Sequence, residues 1–313
     1  MVDRITNFMM VNRNLRYINN NMSSMQKTQQ QISSGKMIHA PSDDPIGTIN
    51  SMSTKNEIRK VEQYQNNISH AIGFLEHTSS VLTQVEDLLL EIKTIAENAS
   101  SEVTTSAERT AFAFQIDQLL EEVIQSSNSK FGGKFIFGGT ETLSGTQANS
   151  APFNAQMSGS KIAHVIQNPD GINGQIQTLV GDGKSIVSNL GGDDIFQPNG
   201  TGSTNDLFQT VIDLRENLLA NDGNSIRERI TEINNEFDGI VGQNTLAGAK
   251  VNRMQLISDQ LDDLYVIEKE FLSQIEDTDI AEAIMKLNTQ EVALQATLQT
   301  SSRILQNSLL DYI

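Results

Sequence analysis

No cysteine occurs in this chain of 313 residues. That excludes a disulfide framework, a thiol nucleophile and a zinc–thiolate site, and it leaves the redox compartment unread. Tryptophan is missing too, and aromatic residues reach only 5%. Large hydrophobic layers are therefore not expected, and long helices in shallow contact fit the composition better. Basic residues are scarce, 22 Lys and Arg against 39 Asp and Glu, for a net charge of -17. A chain so acidic is repelled by phosphate backbones and anionic lipid surfaces, which disfavours nucleic acid and membrane partners. No apolar run reaches the length of a membrane span, and the start MVDRITNFMMVNRNLRYINN lacks the apolar stretch of a signal peptide. A soluble chain is expected, and export would need another route.

Catalytic and metal-binding constellations are missing as well. TLVGDGKS, Thr178 to Ser185, ends like a phosphate-binding loop, but Thr178 stands where that loop needs glycine, and IVSNL after it reads as strand, not helix. His70 and His77 lie seven apart on one helix face, about 10 Å along the axis, too far to share an ion without other ligands. They read as surface or interface residues. His39 and His164 stand apart from acids. The pair Asp43 and Asp44 has no His or further acid at ligand spacing. The sequence therefore assigns no catalytic residue, no metal ligand and no cofactor, and function is expected to come from surfaces.

What is present begins at the two ends. Val11, Leu15, Ile18, Met22, Met25 and Ile32 follow a heptad stripe broken once, at Gln29. Ile280, Ile284, Leu287, Leu294, Leu298 and Leu305 repeat the pattern, interrupted by Glu291 and Ser301. Neither end would be stable alone, because a short helix gains most of its stability by packing one face. Residues 1 to 40 carry five bases against Asp3, whereas 270 to 313 carry seven acids against Lys286 and Arg303. The ends suit one another by charge, and their seams could equally bind other copies of the chain; two separately solvated tails are the plainer reading.

SSGKMIHAPSDDP, Ser33 to Pro45, reads as stop, extended link and start. Gly35 can supply the left-handed residue that ends a helix. Asp44 before Pro45 is held out of the helical region and can cap the next helix, with Pro45 in its first position. Asp279 with Glu282 three residues on has the spacing of a capping box, opening a C-terminal helix; a merely solvated acidic turn is the alternative.

Between the links, helical spacing runs from Ile46 to about Ala99, a rod of roughly 80 Å, and again from about Ala107 to Ser127. FGGKFIFGGT then reads as a short hairpin. Residues 141–203 gather three of the five prolines and many glycines around KIAHVIQ, GQIQTLV and KSIVSNL, which points to a small β-rich insertion. Helical spacing returns at Leu207 and from Ile226 through Leu272. The expected fold is mainly α with a β insertion: an elongated long-helix rod with a small β-rich outer domain. Segments 1–40 and 278–313 form the terminal coiled coil, 41–140 and 204–277 the helical rod, and 141–203 the outer insertion. An enzyme carried on the insertion would have to draw on Asp170, Asp182, Asp193, Asp194, Lys161, Lys184 and His164, which are scattered between turns. An adhesin is a third possibility.

ISSGKMIHAPSDDPIGT resembles the segment joining the two N-terminal helices of the bacterial flagellin superfamily. DTDIAEAIMKLNTQEVALQATLQTSSRILQNSLLDYI resembles its C-terminal segment, and GAKVNRMQL (248–256) extends the likeness, so both thirds flanking the insertion are covered. PSDDP, FIFGGT and SIVSNLGGDDIF resemble the hook-filament junction group (hook-associated protein 3 type) more than filament flagellin, the alternative. The resemblance implies a flagellin-like coiled-coil bundle and a non-enzymatic protein made in the cytoplasm, exported unfolded through the flagellar type III channel, and extracellular once placed in the flagellum. Its implied partners are other copies of itself in a ring, a neighbouring hook-associated junction protein, flagellin and a flagellar export chaperone.

Overall fold

A computed structural model describes residues 7–142, 151–159, 161–168, 172–203 and 205–310, with the side chains of all of these except 7, 8, 11 and 303–310. The chain runs α1 (Asn7–Ser34), α2 (Pro45–Ala99), α3 (Ser106–Ser127), β1 (Lys130–Phe131), β2 (Lys134–Phe135), β3 (Phe153–Ser158), β4 (Lys161–Gln167), β5 (Gln177–Gly181), β6 (Lys184–Val187), α4 (Gly192–Phe196), α5 (Leu207–Leu219), α6 (Gly223–Glu276) and α7 (Ile280–Leu310). It divides into two compact units, residues 1–60 with 264–313 and residues 61–263, and α2 and α6 contribute to both. The fold is mainly helical, with small antiparallel hairpins between α3 and α5. No helix among the described residues is long and apolar enough to cross a membrane.

The second unit holds the core. Along α2, Val61, Ile68, Leu75, Leu82, Leu89 and Ala96 recur every seventh residue, with Val85, Ile92 and Ala99 three positions further on, and all are buried. Along α6, Ile226, Ile233, Ile240, Ala247, Met254 and Leu261 do the same. Seven-residue recurrence keeps one face of a helix turned to a partner over many turns. The two helices run antiparallel: the Gln65 amide donates to Asp262 Oδ1 at 2.6 Å, and the Ser79 hydroxyl to Asn244 Oδ1 at 2.6 Å. Each buried Leu or Ile contributes about 1.5–3 kcal/mol relative to exposure.

α3 opens with a reciprocal cap, Thr105 Oγ1 accepting from the Glu108 N–H while the Glu108 carboxylate accepts from the Thr105 N–H. Its buried Ile116, Leu120 and Val123 pack with Val211, Leu214 and Leu218 of α5 in one cluster. Arg109, buried at the start of α3, donates to the carbonyls of Ala99 and Ser101 and to Asn221 Oδ1, tying the end of α2 to the turn before α6.

Hairpins β3–β4 and β5–β6 lie within 141–203, and β1–β2 precedes that segment. Gly132 and Gly133 have φ of +57° and +81°, so the two-residue β1–β2 turn needs backbone with no Cβ at both positions. The ladder runs on for one bond beyond Phe135, the Ile136 N–H donating to the Ser129 carbonyl at 3.1 Å, and both Ile136 and Phe137 are buried. β3 pairs with β4 and β5 with β6. Phe137, Phe153, Phe196 and Phe208 form a closed aromatic group, with ring centroids 5.1 Å apart for Phe137–Phe196 and 5.2 Å for Phe153–Phe196. His70 and His77 flank Phe131, at 5.9 and 5.5 Å between centroids. They support the hairpin from α2.

In the first unit α1 and α7 pair, and they are antiparallel: Asn21 Nδ2 reaches Thr297 Oγ1 at 3.3 Å, while Lys36 bridges Asp277 where the pair meets the links. Among the described residues of this unit, Ile58 and Ala283 are the only buried apolar side chains.

Candidate functional site

The links between helices are built from local capping. Gly35 has φ +69°, and its N–H closes on the Gln31 carbonyl at 2.9 Å, ending α1. Asp44 Oδ1 accepts from the N–H groups of Ile46 (3.1 Å) and Gly47 (2.9 Å), with Pro45 as the first residue of α2. Asp43 does a different job. Its carboxylate takes Lys27 Nζ at 2.7 Å and the N–H groups of His39 and Ala40 at 3.2 and 3.1 Å, pinning the link back on α1. The Lys27 ammonium first, and then the two amides, hold its carboxyl down at about 2. The adjacent aspartates are thus two anchors on neighbouring turns of the chain.

The second link is capped by Asp279, whose Oδ1 accepts from Ala281 (2.8 Å) and Glu282 (3.2 Å). Among the described residues Glu282 makes no return bond to the Asp279 backbone, so this cap is one-sided. The two links then join each other. The Met37 N–H donates to the Glu276 carbonyl at 2.6 Å, and the Thr278 N–H to the Gly35 carbonyl at 2.9 Å. Residues about 240 positions apart are stitched here by backbone alone.

Glu276 locks the stitch. Its side chain is 7% exposed, and it receives the ammonium of Lys36 at 2.9 Å, the ammonium of Lys55 and the hydroxyl of Ser51. Burial works to raise its pKa, but the bonds from Lys36, Lys55 and Ser51 outweigh it and hold the carboxyl at about 2. A charge satisfied on so many sides stays ionised at every ordinary pH.

The terminal seam is more polar than the stripe read from sequence. On α1 the covered or half-covered positions are Asn14, Ile18, Asn21, Met25, Thr28 and Ile32; on α7 they are Ala283, Leu287, Gln290, Leu294, Thr297 and Ser301. Ile18, Met25, Ile32, Leu287 and Leu294 thus sit at the pair. Leu15 (51% exposed), Met22, Ile280, Ile284 and Leu298 stand outside it in solvent. Val11 and Leu305 lie outside the residues whose side chains are described. Ile46, Ile49, Met52, Val266, Phe271 and Val292 are also exposed in this unit. The helices pair through a mixed seam of aliphatic, amide and small hydroxyl side chains and leave other large aliphatic ones uncovered.

In the second unit the residues that the sequence offered for chemistry are scattered. TLVGDGKS forms the end of β5, the turn at Asp182–Gly183 and the start of β6. His164 Nδ1 lies 3.2 Å from Gln209 Oε1, Asp193 and Asp194 open the five-residue α4, and Asp170 is outside the described residues. Among the described residues no three His, Cys, Asp or Glu side chains come close enough to hold a metal ion. Sequence reasoning passed over Glu276, Ser51 and Lys55. No local pattern marks them, since their meeting depends on closure of the whole chain. It also passed over Glu236, buried on α6; there a signal exists, because an acid three residues after Ile233 and four before Ile240 falls on the apolar stripe.

The family description "Bacterial flagellin N-terminal helical region" matches residues 5–142. The flagellar hook-associated protein 3 of Escherichia coli is 22% identical over 306 residues, covering 94% of each chain. The flagellar filament 41 kDa core protein of Borreliella burgdorferi is 33% identical over 103 residues, 33% of this chain and 31% of that one. Among solved structures, flagellar hook-associated protein 3 of Legionella pneumophila superposes with a TM-score of 0.61 at 14% identity, over 72% of this chain and 98% of that one. The long-helix architecture with small antiparallel hairpins is shared with it.

Proposed function

We propose that this chain, a member of the bacterial flagellin superfamily of the hook-associated protein 3 type, serves in the flagellum as the structural adaptor between hook and filament. The observation that carries the mechanism is the first unit. Its α1–α7 pair is held by a seam of mixed apolar and polar side chains, and Leu15, Met22, Ile280, Ile284 and Leu298 are left for neighbours. Burying such a face between subunits supplies the association free energy that the isolated unit forgoes. Repeated head-to-tail contacts of this kind close into a ring. In this reading segments 1–40 and 278–313 dock against other copies, against a neighbouring hook-associated protein on one side and against flagellin on the other. The parts 41–140 with 204–277 and 141–203 serve as rod and insertion. The protein works without catalysis. Its route is export through the flagellar channel with a chaperone at the C-terminal segment, and its destination is extracellular.

The deciding experiment is removal of residues 280–313. Incorporation into flagella should be abolished while the second unit keeps its cooperative unfolding transition. Unchanged incorporation overturns the docking mechanism. Cells lacking the protein should still build hooks but release flagellin monomers into the medium, and retained filaments would overturn the junction role itself. Purified protein should stay monomeric until it meets its neighbours, where a filament subunit would polymerise.

A further inference from the structure

Glu236 is the one acid of α6 placed on the helix's buried stripe in the second unit, and it is 8% exposed. Among the described residues neither of its oxygens receives a hydrogen bond or an ion-pair partner. Burial of most of the side chain works against its charge, and its oxygens keep only what solvent the adjoining cavity admits. The carboxylate lines a cavity of about 280 Å³ with Gln209 and Asp213 of α5 and Arg229, Glu232 and Asn235 of α6.

Charge in this cavity does not balance. Asp213, Glu232 and Glu236 line it against Arg229, and Asp206 adds a further negative charge near Glu236 from outside the lining. Arg229 is already committed through Nη1, to Glu232 and, at 3.5 Å, to Asp213. Asp206, at the start of α5, is taken up by the N–H groups of Gly202 and Gln209 and by the Gln197 amide. Burial, with the charges of Asp206 and Glu232 added to it, lifts the Glu236 carboxyl to about 7.

The carboxylates are too far apart to close on a metal ion as a group of three. Spread acceptors, with the side-chain carbonyls of Gln209 and Asn235 beside them, suit a wide planar donor on an alkyl stem instead. We propose that this cavity binds a guanidinium group, that of an arginine side chain, with Glu236 as its carboxylate acceptor. The fork of a guanidinium can reach Glu236 and a neighbouring acceptor at once, which a compact ammonium does less well. Binding draws the proton off Glu236, so affinity rises with pH through neutrality and falls in acid. This inference stands apart from the junction role.

The test uses the full chain. Carbon-13 NMR follows the Glu236 carboxylate through pH, alone and with N-acetyl-arginine N-methylamide, at ionic strength matched by sodium chloride. Without the probe Glu236 should titrate near neutrality; with saturating probe its midpoint should fall by about one unit, with roughly fivefold tighter binding at pH 8 than at pH 6. Glu236→Gln, which removes a charge from a buried place and so should fold, should weaken binding at least about tenfold, whereas Glu282→Gln on α7 should leave it unchanged. Titration of Glu236 in the ordinary carboxylate range without the probe would mean that Arg229 already serves it, and would overturn the proposal. So would equal binding by the wild type and Glu236→Gln, or tighter binding of N-acetyl-lysine N-methylamide than of the arginine probe. Agmatine, a free cation with the same guanidinium, separates the sources: tighter binding of capped arginine supports a protein side chain, and tighter binding of agmatine overturns that part.

Discussion

The two units are made from the same kinds of helix, yet they spend their apolar residues in opposite ways. In residues 61–263, every seventh position of α2 and α6 is sealed, and four phenylalanines close on each other. In residues 1–60 with 264–313, the apolar residues sealed within the described part are Ile58 and Ala283, while Leu15, Ile49, Phe271, Ile284 and Val292 face solvent. The buried polar groups of this unit, Thr28, Ser51, Thr54 and Glu276, carry what specificity it has on its own. One unit is complete as folded. The other has its geometry fixed largely by hydrogen bonds and ion pairs and leaves much of its apolar surface in solvent.

If that contrast is right, substitutions should divide cleanly between the units. The largest loss of stability is expected from Phe196→Ala, where three aromatic neighbours lose a partner. It should cost the second unit about 3–5 kcal/mol, read as a lower urea midpoint. A shift below 1 kcal/mol would mean that the aromatic group is not a sealed core. Next comes Glu276→Ala, which leaves Lys36, Lys55 and Ser51 without their common acceptor. About 2–3 kcal/mol should go from the local stability of the links, seen as faster amide exchange at Met37 and Thr278 with the second unit unaffected. The same carboxylate sets a pH dependence. Its folded pKa is depressed to about 2 from the ordinary 4.5. Its contribution is therefore fully present above pH 4.5 and disappears as pH falls through 2, and protection at Met37 should follow that window. Asp44→Ala should cost about 1 kcal/mol through the lost cap of α2, measured by the same exchange. The smallest effect on the monomer belongs to Val292→Ser, expected within about 0.5 kcal/mol, although incorporation into flagella should suffer. Normal assembly of that variant would erase the distinction between the units at that position.

Legibility in the sequence followed the range of the interaction. The end of α1 at Gly35 and the start of α2 at Pro45 are decided by φ preference and by one side chain bonding its own turn, and a short quotation of sequence contains all of it. The long helices were equally readable, because a seven-residue recurrence survives even over Gly239, Gly242 and Gly248 inside α6. The terminal seam was legible only in part. The apolar stripe includes Ile18, Met25, Ile32, Leu287 and Leu294, which sit at the pair, and Leu15 and Met22, which do not, while Asn21, Thr28 and Thr297 complete the seam because amides and small hydroxyls fit a close helix contact. Glu276 was invisible for another reason. Its partners Lys36 and Lys55 stand 240 and 221 residues away, and only closure of the chain brings them together.

Because α1 and α7 run side by side in opposite directions from the stitched links, the Asn7 end of α1 and the Leu310 end of α7 come to the same end of the pair. An affinity tag or fluorophore fused at either terminus would therefore obstruct one shared place.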